Sequence, residues 1–386
     1  MTFKKHYGGM KPTTDQNARH DTGCEAPRVW VLTGGKAGDN AQCVAVAQAL
    51  NWPFTVKRLK YTGLYRLWNT ILGASLISLD RQHSDPLAPP WPDLVIAAGR
   101  RSVPVARWIR RQAGGRTRLV QIGRPRAPYR LFDLIVTTPQ YGLPERDNIL
   151  HLLTPVTSPR PAEAAERLFG EAKLQPVPRP WIAVLVGGDA RPYQFDPDSA
   201  SRLGSAASDI AARHGGSLLV STSRRTSTES ADALAAALHV PHYFHRFGEP
   251  QNPYTAFLAL ADAFIVTADS ASMLADVCAT GRPVFLFDVP CNLDVRARGT
   301  QIAMRLLGSW RERLQDWGVC CGLRELGRMH ARLLASGRLR RLEAGAADID
   351  LSKNDLPPIC SLAPVVDRVR ALLAAEERER QWPGRG

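Results

Sequence analysis

Residues 254–290 constrain the fold more tightly than any other stretch of this chain. They read in order as a helix, a buried strand, a polar loop, a second helix and a second buried strand. Ala263–Thr267 is a short apolar run of the kind found in a strand covered on both faces. Asp269, Ser270 and Ser272 follow it, and Met273, Leu274, Val277 and Cys278 then recur at helical spacing. Gly281 stands where a helix C′ residue belongs, and Pro283 opens the next strand, Val284–Phe287. In an open sheet of this kind, ligands bind outside the carboxyl ends of the strands. A helix N-terminus there offers free N–H groups and a partial positive charge, which suits a phosphate. The stretch therefore reads as part of a nucleotide or sugar-nucleotide site. Simple helix capping by Asp269 or Ser270 is the plain alternative.

The same alternation runs through most of the chain. Val29–Leu32, Phe54–Leu59, Leu94–Ala97, Leu119–Ile122 and Leu134–Val136 read as strands, with helices over 41–50 and 103–112. Between Thr154 and Pro180, prolines punctuate one short Ala/Glu-rich helix, and the pattern then restarts. Ile182–Val186 and Ser217–Ser221 read as strands, with helices over 201–214 and 228–238. The expected fold class is α/β, with two Rossmann-like, doubly wound domains facing across a cleft. The expected boundaries are a disordered tail over 1–27, an N-terminal domain over 28–153 and a linker over 154–180. A C-terminal domain over 181–360 and a C-terminal helix and tail over 361–386 complete them. A length of 386 residues fits two domains at roughly 100–200 residues each.

The formal net charge is +14, and most of the cations are arginine, which suits bidentate contact with phosphate. No recognition-helix pattern and no basic ribbon interleaved with aromatics accompanies that charge, so nucleic acid is not an expected partner. The seven cysteines include no C-x-x-C pair, which argues against a disulfide scaffold and a zinc site. Cys43 and Cys278 fall on apolar helix faces and read as buried thiols in a reducing compartment. Asp196/Asp198 and Asp348/Asp350 match D-x-D but follow no buried strand, so no metal is expected. No secretory signal and no spanning stretch of about 18 apolar residues is visible, and the expected location is cytoplasmic. Leu59–Leu79 is apolar and carries Tyr61, Tyr65, Trp68, Lys60 and Arg66. It reads either as a buried core helix or as a segment lying in a membrane interface, which leaves peripheral contact with an anionic inner-membrane surface open.

Several strand-end loops have the composition of a ligand site. Thr33–Asn40 is glycine-rich but matches neither the dinucleotide fingerprint nor the P-loop spacing. In it, Asp39 is the candidate general base, Gly35, Lys36 and Asn40 are candidate substrate contacts, and capping of the next helix by Asp39 or Asn40 is the alternative. Gly187 and Gly188 open the second unit and can cradle a diphosphate. Arg224, Arg225 and Thr226 form a hydroxyl-flanked anion cradle, with a solvated turn as the plain reading. Arg100 and Arg101, and the Gly123–Arg126 loop, add basic groups facing an anionic acceptor. Asn252 precedes the key helix as a base or ribose contact, although an Asn-Pro turn is sufficient reason for it. His242 and His245 read as a packed pair.

Taken in order, these segments resemble the family named for the plant "elongated mitochondria" fission factor, which has many bacterial members. The resemblance rests on Gly38-Asp39-Asn40 with Gln42, Ala97–Ser102, Phe132–Ile135, Gly187-Gly188 with Tyr193, Phe195 and Asp196, Thr222–Thr226, Asn252-Pro253-Tyr254 and Asp269–Met273. It spans about Arg28 to Pro290 and is weak beyond. It implies a fold similar to the GT-B class of glycosyltransferases, with a final helix crossing back. That class binds a nucleotide-sugar in its C-terminal domain and an acceptor at its N-terminal one, with no metal or other cofactor. On matching positions the donor site is Gly187, Gly188, Arg224, Arg225, Ser270, Ser272 and Met273.

The expected activity is transfer from a nucleotide-sugar to a cell-envelope glycan or glycolipid, with Asp39 taking the acceptor proton. Thr226, Asn252 and Asp269 join the expected donor set, and Arg100 and Arg101 the acceptor side. A sugar-nucleotide epimerase or hydrolase, and a non-catalytic membrane-associated adaptor of the fission type, are the rival expectations.

Overall fold

The computed structural model describes residues 26–157, 177–292, 324–342 and 357–381, with 299, 302, 306–307, 310–318 and 351 between them. Most of the expected N-terminal tail, the Ala/Glu-rich helix of 158–176 and the Asp348/Asp350 pair lie outside the described residues, as do Cys24, Cys320 and Cys321.

Twelve described strands form two parallel six-stranded sheets. The first contains β1 (Val29–Thr33), β2 (Phe54–Arg58), β3 (Leu94–Ala98), β4 (Arg118–Ile122), β5 (Leu134–Thr137) and β6 (Ile149–His151), in the order β2-β1-β3-β4-β5-β6. The second contains β7 (Trp181–Leu185), β8 (Ser217–Ser221), β9 (His242–His245), β10 (Ala263–Thr267), β11 (Val284–Phe287) and β12 (Arg340–Arg341), in the order β12-β11-β10-β7-β8-β9. Counted from β7, this is the 3-2-1-4-5-6 order of doubly wound nucleotide-binding sheets. The winding reverses between β1 and β3 in the first sheet and between β7 and β10 in the second. At each reversal two adjacent loops splay apart and leave a crevice.

Helices cover both faces of each sheet, which is why the central strands read as unbroken apolar runs. On the first sheet, α1 (Ala37–Leu50) buries Cys43, Val46 and Leu50 on one face. The short α2 (Asn69–Leu72) leads toward α3 (Val103–Gln112), which buries Val105 and Ile109 on the other face. On the second sheet, α4 (Pro197–Arg213) and α5 (Thr228–Ala236) bury Leu203, Ala207 and Leu234. The opposite face takes α6 (Tyr254–Leu260) and α7 (Ala271–Cys278), with Phe257 and Leu274 in the core. Beyond β11 come α8 (Trp310–Asp316), α9 (Leu326–Ala335) and α10 (Ala363–Gln381).

The last two helices tie the units together. Met329 and Leu333 of α9 enter the second core, while the Glu325 N–H just before α9 donates to the Gln140 carbonyl of the first unit at 3.0 Å. Val365, Val366, Val369 and Leu373 of α10 pack into the first core beside α1, so the chain end crosses back to the first sheet. Among the described residues, no helix is long and apolar enough to cross a membrane.

The structure departs from the sequence reading in four places. Residues 59–79 are neither a core helix nor a long interfacial one. They form a 3₁₀ turn (Gly63–Arg66) and the single turn of α2, closed by a bridge between Tyr61 and Leu79. Gly63 and Gly73 interrupt a run too short to propagate a helix. Helix α1 begins at Ala37 without a side-chain cap, so neither Asp39 nor Asn40 caps it. The edge strands β6, β9 and β12 are short and were not distinguished from loops. In β9, His245 is buried but His242 is exposed, so the two do not form a packed pair.

His330 of α9 provides a test of this packing. It is buried, and its Nε2 lacks a hydrogen-bond partner among the described residues. Burial pushes its imidazole from 6.5 down to about 4. The fold therefore favours the neutral ring, whereas the unfolded chain takes up a proton as pH falls below 6.5. The stability lost between pH 6.5 and 4.5 is about 2–3 kcal/mol at ~1.4 kcal/mol per unit. Urea unfolding at the two pH values is expected to show a drop smaller by that amount in His330→Leu than in the wild type.

Candidate functional site

A cavity of about 1060 Å³ lies between the carboxyl ends of the two sheets. Its first wall comes from the loops after β1 to β6, and its second from those after β7, β8 and β10 with Arg324. Both winding reversals open onto it, so the two crevices that such sheets use for ligands converge on one space.

The second wall is organised around a buried carboxylate. The Asp269 side chain is 0% exposed, and its Oδ2 lies 2.6 Å from Arg225 Nη1, a charge contact off the line of a good hydrogen bond. Burial raises the Asp269 carboxyl above the usual range, while the Thr267 hydroxyl and Arg225 pull it part of the way back. Two glycines make room for this pair. A Cβ on Gly187 would stand 2.1 Å from Asp269 Oδ2, and one on Gly188, at φ +113°, would stand 2.3 Å from the Arg225 carbonyl carbon. The Gly187 N–H donates to Thr267 Oγ1 at 2.8 Å. The Ser223 hydroxyl and the Thr226 hydroxyl (3.1 Å) both donate to the Gly187 carbonyl. Arg224 is exposed and reaches the cavity. Ser270 opens α7, its hydroxyl accepting a long 3.5 Å hydrogen bond from Met273 N.

The first wall is held by side chain–backbone clamps. Asn40 accepts from the Gly34 N–H at 2.8 Å and donates to the Gly34 carbonyl at 2.7 Å, which fixes the loop after β1. Lys36 Nζ lies 3.7 Å from Asp39 Oδ2 across the first turn of α1. That carboxylate faces Gly99, where a Cβ would approach it to 3.2 Å. Arg101 stacks over Tyr65 at 3.9 Å from the ring centre.

Of the residues singled out in the sequence, Gly35, Lys36, Asp39, Asn40, Arg100, Arg101, Arg224, Arg225, Asp269, Ser270 and Ser272 line this one cavity. Gly187, Gly188, Thr226, Asn252 and Met273 do not. Gly187, Gly188 and Thr226 lie behind the wall, joining the loops after β7 and β8. Asn252 is exposed and accepts from Tyr254 N at 3.0 Å, the Asn-Pro turn that was the alternative. Met273 packs toward the second core. The Asp196 carboxylate caps α4, accepting from Ser199 N at 2.8 Å. Among the described residues, no group of three or more His, Cys, Asp or Glu stands ready to hold a metal. Sequence reasoning did not single out Asn69, Thr137, Thr138, Gln140, Asp276 and Arg324, and it read Tyr65 only as part of the apolar 59–79 stretch. Thr137 and Thr138 end the apolar run of β5 and carry the same strand-end signal as Asp269 and Ser270. Arg324 carries no local signal.

Comparison with known proteins agrees with the resemblance read from the sequence. The model of a family described as mitochondrial fission ELM1 matches residues 37–349. An uncharacterized Rickettsia prowazekii protein, RP120, is 25% identical over 300 residues, covering 68% of this chain and 83% of its own length. The mitochondrial fission protein ELM1 of Arabidopsis thaliana is 26% identical over 220 residues, covering 50% of this chain and 51% of its own length. Among solved structures, Acinetobacter baumannii MurG aligns at 14% identity over 92% of this chain and 95% of its own, with a TM-score of 0.41. The Methanocaldococcus jannaschii UDP-GlcNAc 2-epimerase aligns at 10% identity over 90% and 99%, with a TM-score of 0.47.

The two glycine pairs are alike in sequence but not in environment. A Cβ on Gly35 would meet nothing within 4 Å, whereas one on Gly188 would meet backbone. Gly35→Ala is therefore expected to change stability by no more than about 0.5 kcal/mol, and Gly188→Ala to cost roughly 3 kcal/mol or more. Denaturation midpoints of the two variants check this.

Proposed function

We propose that this chain, which belongs to the mitochondrial fission ELM1 family, binds a nucleotide-sugar in the cavity and transfers its sugar to an acceptor held on the first wall. The observation that carries the reading is the convergence of both winding reversals on one cavity, with Arg224 and the start of α7 on one side and Asp39 on the other. The diphosphate would lie against Arg224 and the first-turn N–H groups of α7. An acceptor hydroxyl would attack the anomeric carbon as its proton passes to the Asp39 carboxylate. The bond from that carbon to the diphosphate oxygen breaks, and its electron pair leaves with the nucleoside diphosphate. Arg225 is engaged by Asp269 and the Gly188 carbonyl, so Arg224 is assigned the larger share of the leaving-group charge.

Calorimetry with nucleoside diphosphates is expected to show binding that weakens about tenfold or more in Arg224→Ala, the loss of one charge-assisted contact of ~1.5–3 kcal/mol. Incubation of labelled sugar nucleotides with membrane extract is expected to show transfer. Asp39→Asn should slow that transfer by roughly 10²–10⁴-fold while leaving diphosphate affinity unchanged. Binding without turnover of any sugar nucleotide would overturn the catalytic assignment.

Two rival readings give different results. An epimerase or hydrolase turns over the sugar nucleotide with no acceptor present. A non-catalytic adaptor, favoured by the internal neutralisation of Arg225, binds no nucleoside diphosphate and keeps its cellular role in Arg224→Ala.

The same reading puts the protein at a membrane surface, with a cell-envelope glycan or glycolipid as acceptor. The 3₁₀ turn and α2 expose Leu64, Leu67, Trp68 and Ile71, the last 71% exposed, while Tyr65 of the same excursion lines the cavity. Apolar side chains beside Arg66 suit an anionic lipid interface. Vesicles containing anionic lipid are expected to sediment the wild type but not a folded Leu67→Asp/Trp68→Asp variant. Wild type left in the supernatant would refute membrane contact.

A further inference from the structure

The charge on the two walls is unequal, and in the direction opposite to what a single nucleotide site needs. The first wall presents Lys36, Arg100, Arg101, Arg124 and Arg126 against one carboxylate, Asp39. The second presents Arg224, Arg225 and Arg324 against Asp269 and Asp276, and Arg225 is already paired with Asp269. The stronger positive field therefore lies across the cavity from the proposed leaving group. A cleft lined by one sign of charge concentrates ligands of the other sign.

The end of β5 supplies a second and independent observation. Thr137, Thr138 and Gln140 are 1%, 6% and 2% exposed, and all three line the cavity. Thr137 Oγ1, Thr138 Oγ1 and Gln140 Oε1 have no hydrogen-bond partner among the described residues. An unsatisfied buried polar atom costs about 1–3 kcal/mol, so three of them at one cavity edge point to a polar ligand that satisfies them. Threonine hydroxyls donate to phosphate oxygens, and a glutamine side chain offers an amide donor once its amide turns over.

The surrounding scaffold holds the cationic loops against this edge. Asn69 is buried, and its Nδ2 donates to the carbonyls of Arg100 and Pro125, each at 2.9 Å. One amide thus ties the loop after β3 to the loop after β4. Arg126 holds the left-handed conformation at φ +52°, a strained state for a residue with a side chain. Arg124 sits 5.8 Å from the centre of the Tyr141 ring, and Tyr141 also lines the cavity.

We infer that the first wall is a phosphate-binding subsite at the ends of β3, β4 and β5, so that the acceptor facing the nucleotide-sugar is itself a phosphate ester or diphosphate. This inference rests on the two-ligand reading of the cavity. Arginines in several orientations and a pair of hydroxyl donors suit a multiply charged tetrahedral oxyanion better than a neutral glycan.

The test is calorimetric titration with inorganic pyrophosphate. The wild type should show two sites. Arg101→Ala/Arg126→Ala should abolish or weaken one by tenfold or more, and Arg224→Ala the other. Thr137→Val/Thr138→Val keeps side-chain shape and removes only the hydroxyls. It should weaken the first-wall site about fivefold while leaving the melting temperature unchanged or higher. A single site, lost in Arg224→Ala and indifferent to all four first-wall substitutions, would overturn the subsite and leave the proposed donor site standing. A single site lost only with the first-wall substitutions would support the subsite and remove the donor placement. No binding at all would overturn both. Competition then distinguishes the source of the phosphate. Displacement from the first-wall site by a soluble hexose phosphate supports a free acceptor, and displacement by a prenyl phosphate in neutral vesicles supports a lipid-borne one. Displacement by neither would overturn the phosphate-ester assignment.

Discussion

The contact between Asp269 and Arg225 organises the second half of this molecule. A carboxylate with no solvent exposure at the end of β10 is tolerated only with an opposite charge beside it, and Arg225 supplies that charge from the loop after β8. β7 lies between those two strands, so the loop after β7 must pass through the pair. Only residues without a Cβ fit there, which accounts for Gly187 and Gly188. Removing either charge would leave the other partner buried or half-buried and unpaired, a loss of the order of 3–5 kcal/mol for interior pairs and less here because Arg225 is 29% exposed. The pair thus sets the positions of three strand-end loops, all of which reach the cavity, the loop after β7 through Ala190.

The first wall solves the same positioning problem without a buried charge. Its loops are held by amide side chains, with Asn40 clamped to Gly34 and Asn69 bridging two carbonyls from neighbouring loops. Neutral clamps anchor these loops without drawing on the wall's cations, and Lys36 meets Asp39 across the first turn of α1. The asymmetry of the cavity therefore follows from how each set of loops is anchored. One wall uses a guanidinium for internal neutralisation, and the other holds Arg101 stacked on Tyr65 and Arg124 near Tyr141 at the cavity edge. The excursion over 59–79 acquires a purpose on this view. It is too irregular to be a core helix, but it delivers Asn69 beneath the cationic loops and Tyr65 beneath Arg101.

Much of the fold was legible because parallel strands buried on both faces leave an apolar signature that survives without context. Ala263–Thr267, Ser217–Ser221 and Val103–Gln112 stand where periodicity placed them. The edge strands β6, β9 and β12 escaped because each has only two to four residues, whereas the longer β2, also an edge, was read at Phe54 onward. β12 is two arginines, and nothing in that pair signals a strand. Strand order was not legible either. Both sheets alternate strand and helix in the same way, yet β2 and β3 flank β1 in the first while β8 and β10 flank β7 in the second.

The site was legible wherever strand ends and polar residues coincide, since a doubly wound sheet sends those loops to one edge. That rule brought Asp39, Arg101, Arg224 and Ser270 to one cavity from four separated segments. It failed where a residue's role depends on a partner far away in sequence. Gly187 reads as a diphosphate cradle until Asp269 is seen to occupy the space above it, and Arg225 reads as a ligand contact until the same carboxylate is seen to hold it. Asn69 sits in a stretch whose apolar composition hides it, and its two acceptors lie 31 and 56 residues further on. A glycine or an arginine at a strand end therefore specifies close approach or positive charge, but whether it serves the ligand or the scaffold is decided by what the neighbouring strand places opposite. In this chain that decision falls to Asp269 on one wall and to Asn69 on the other.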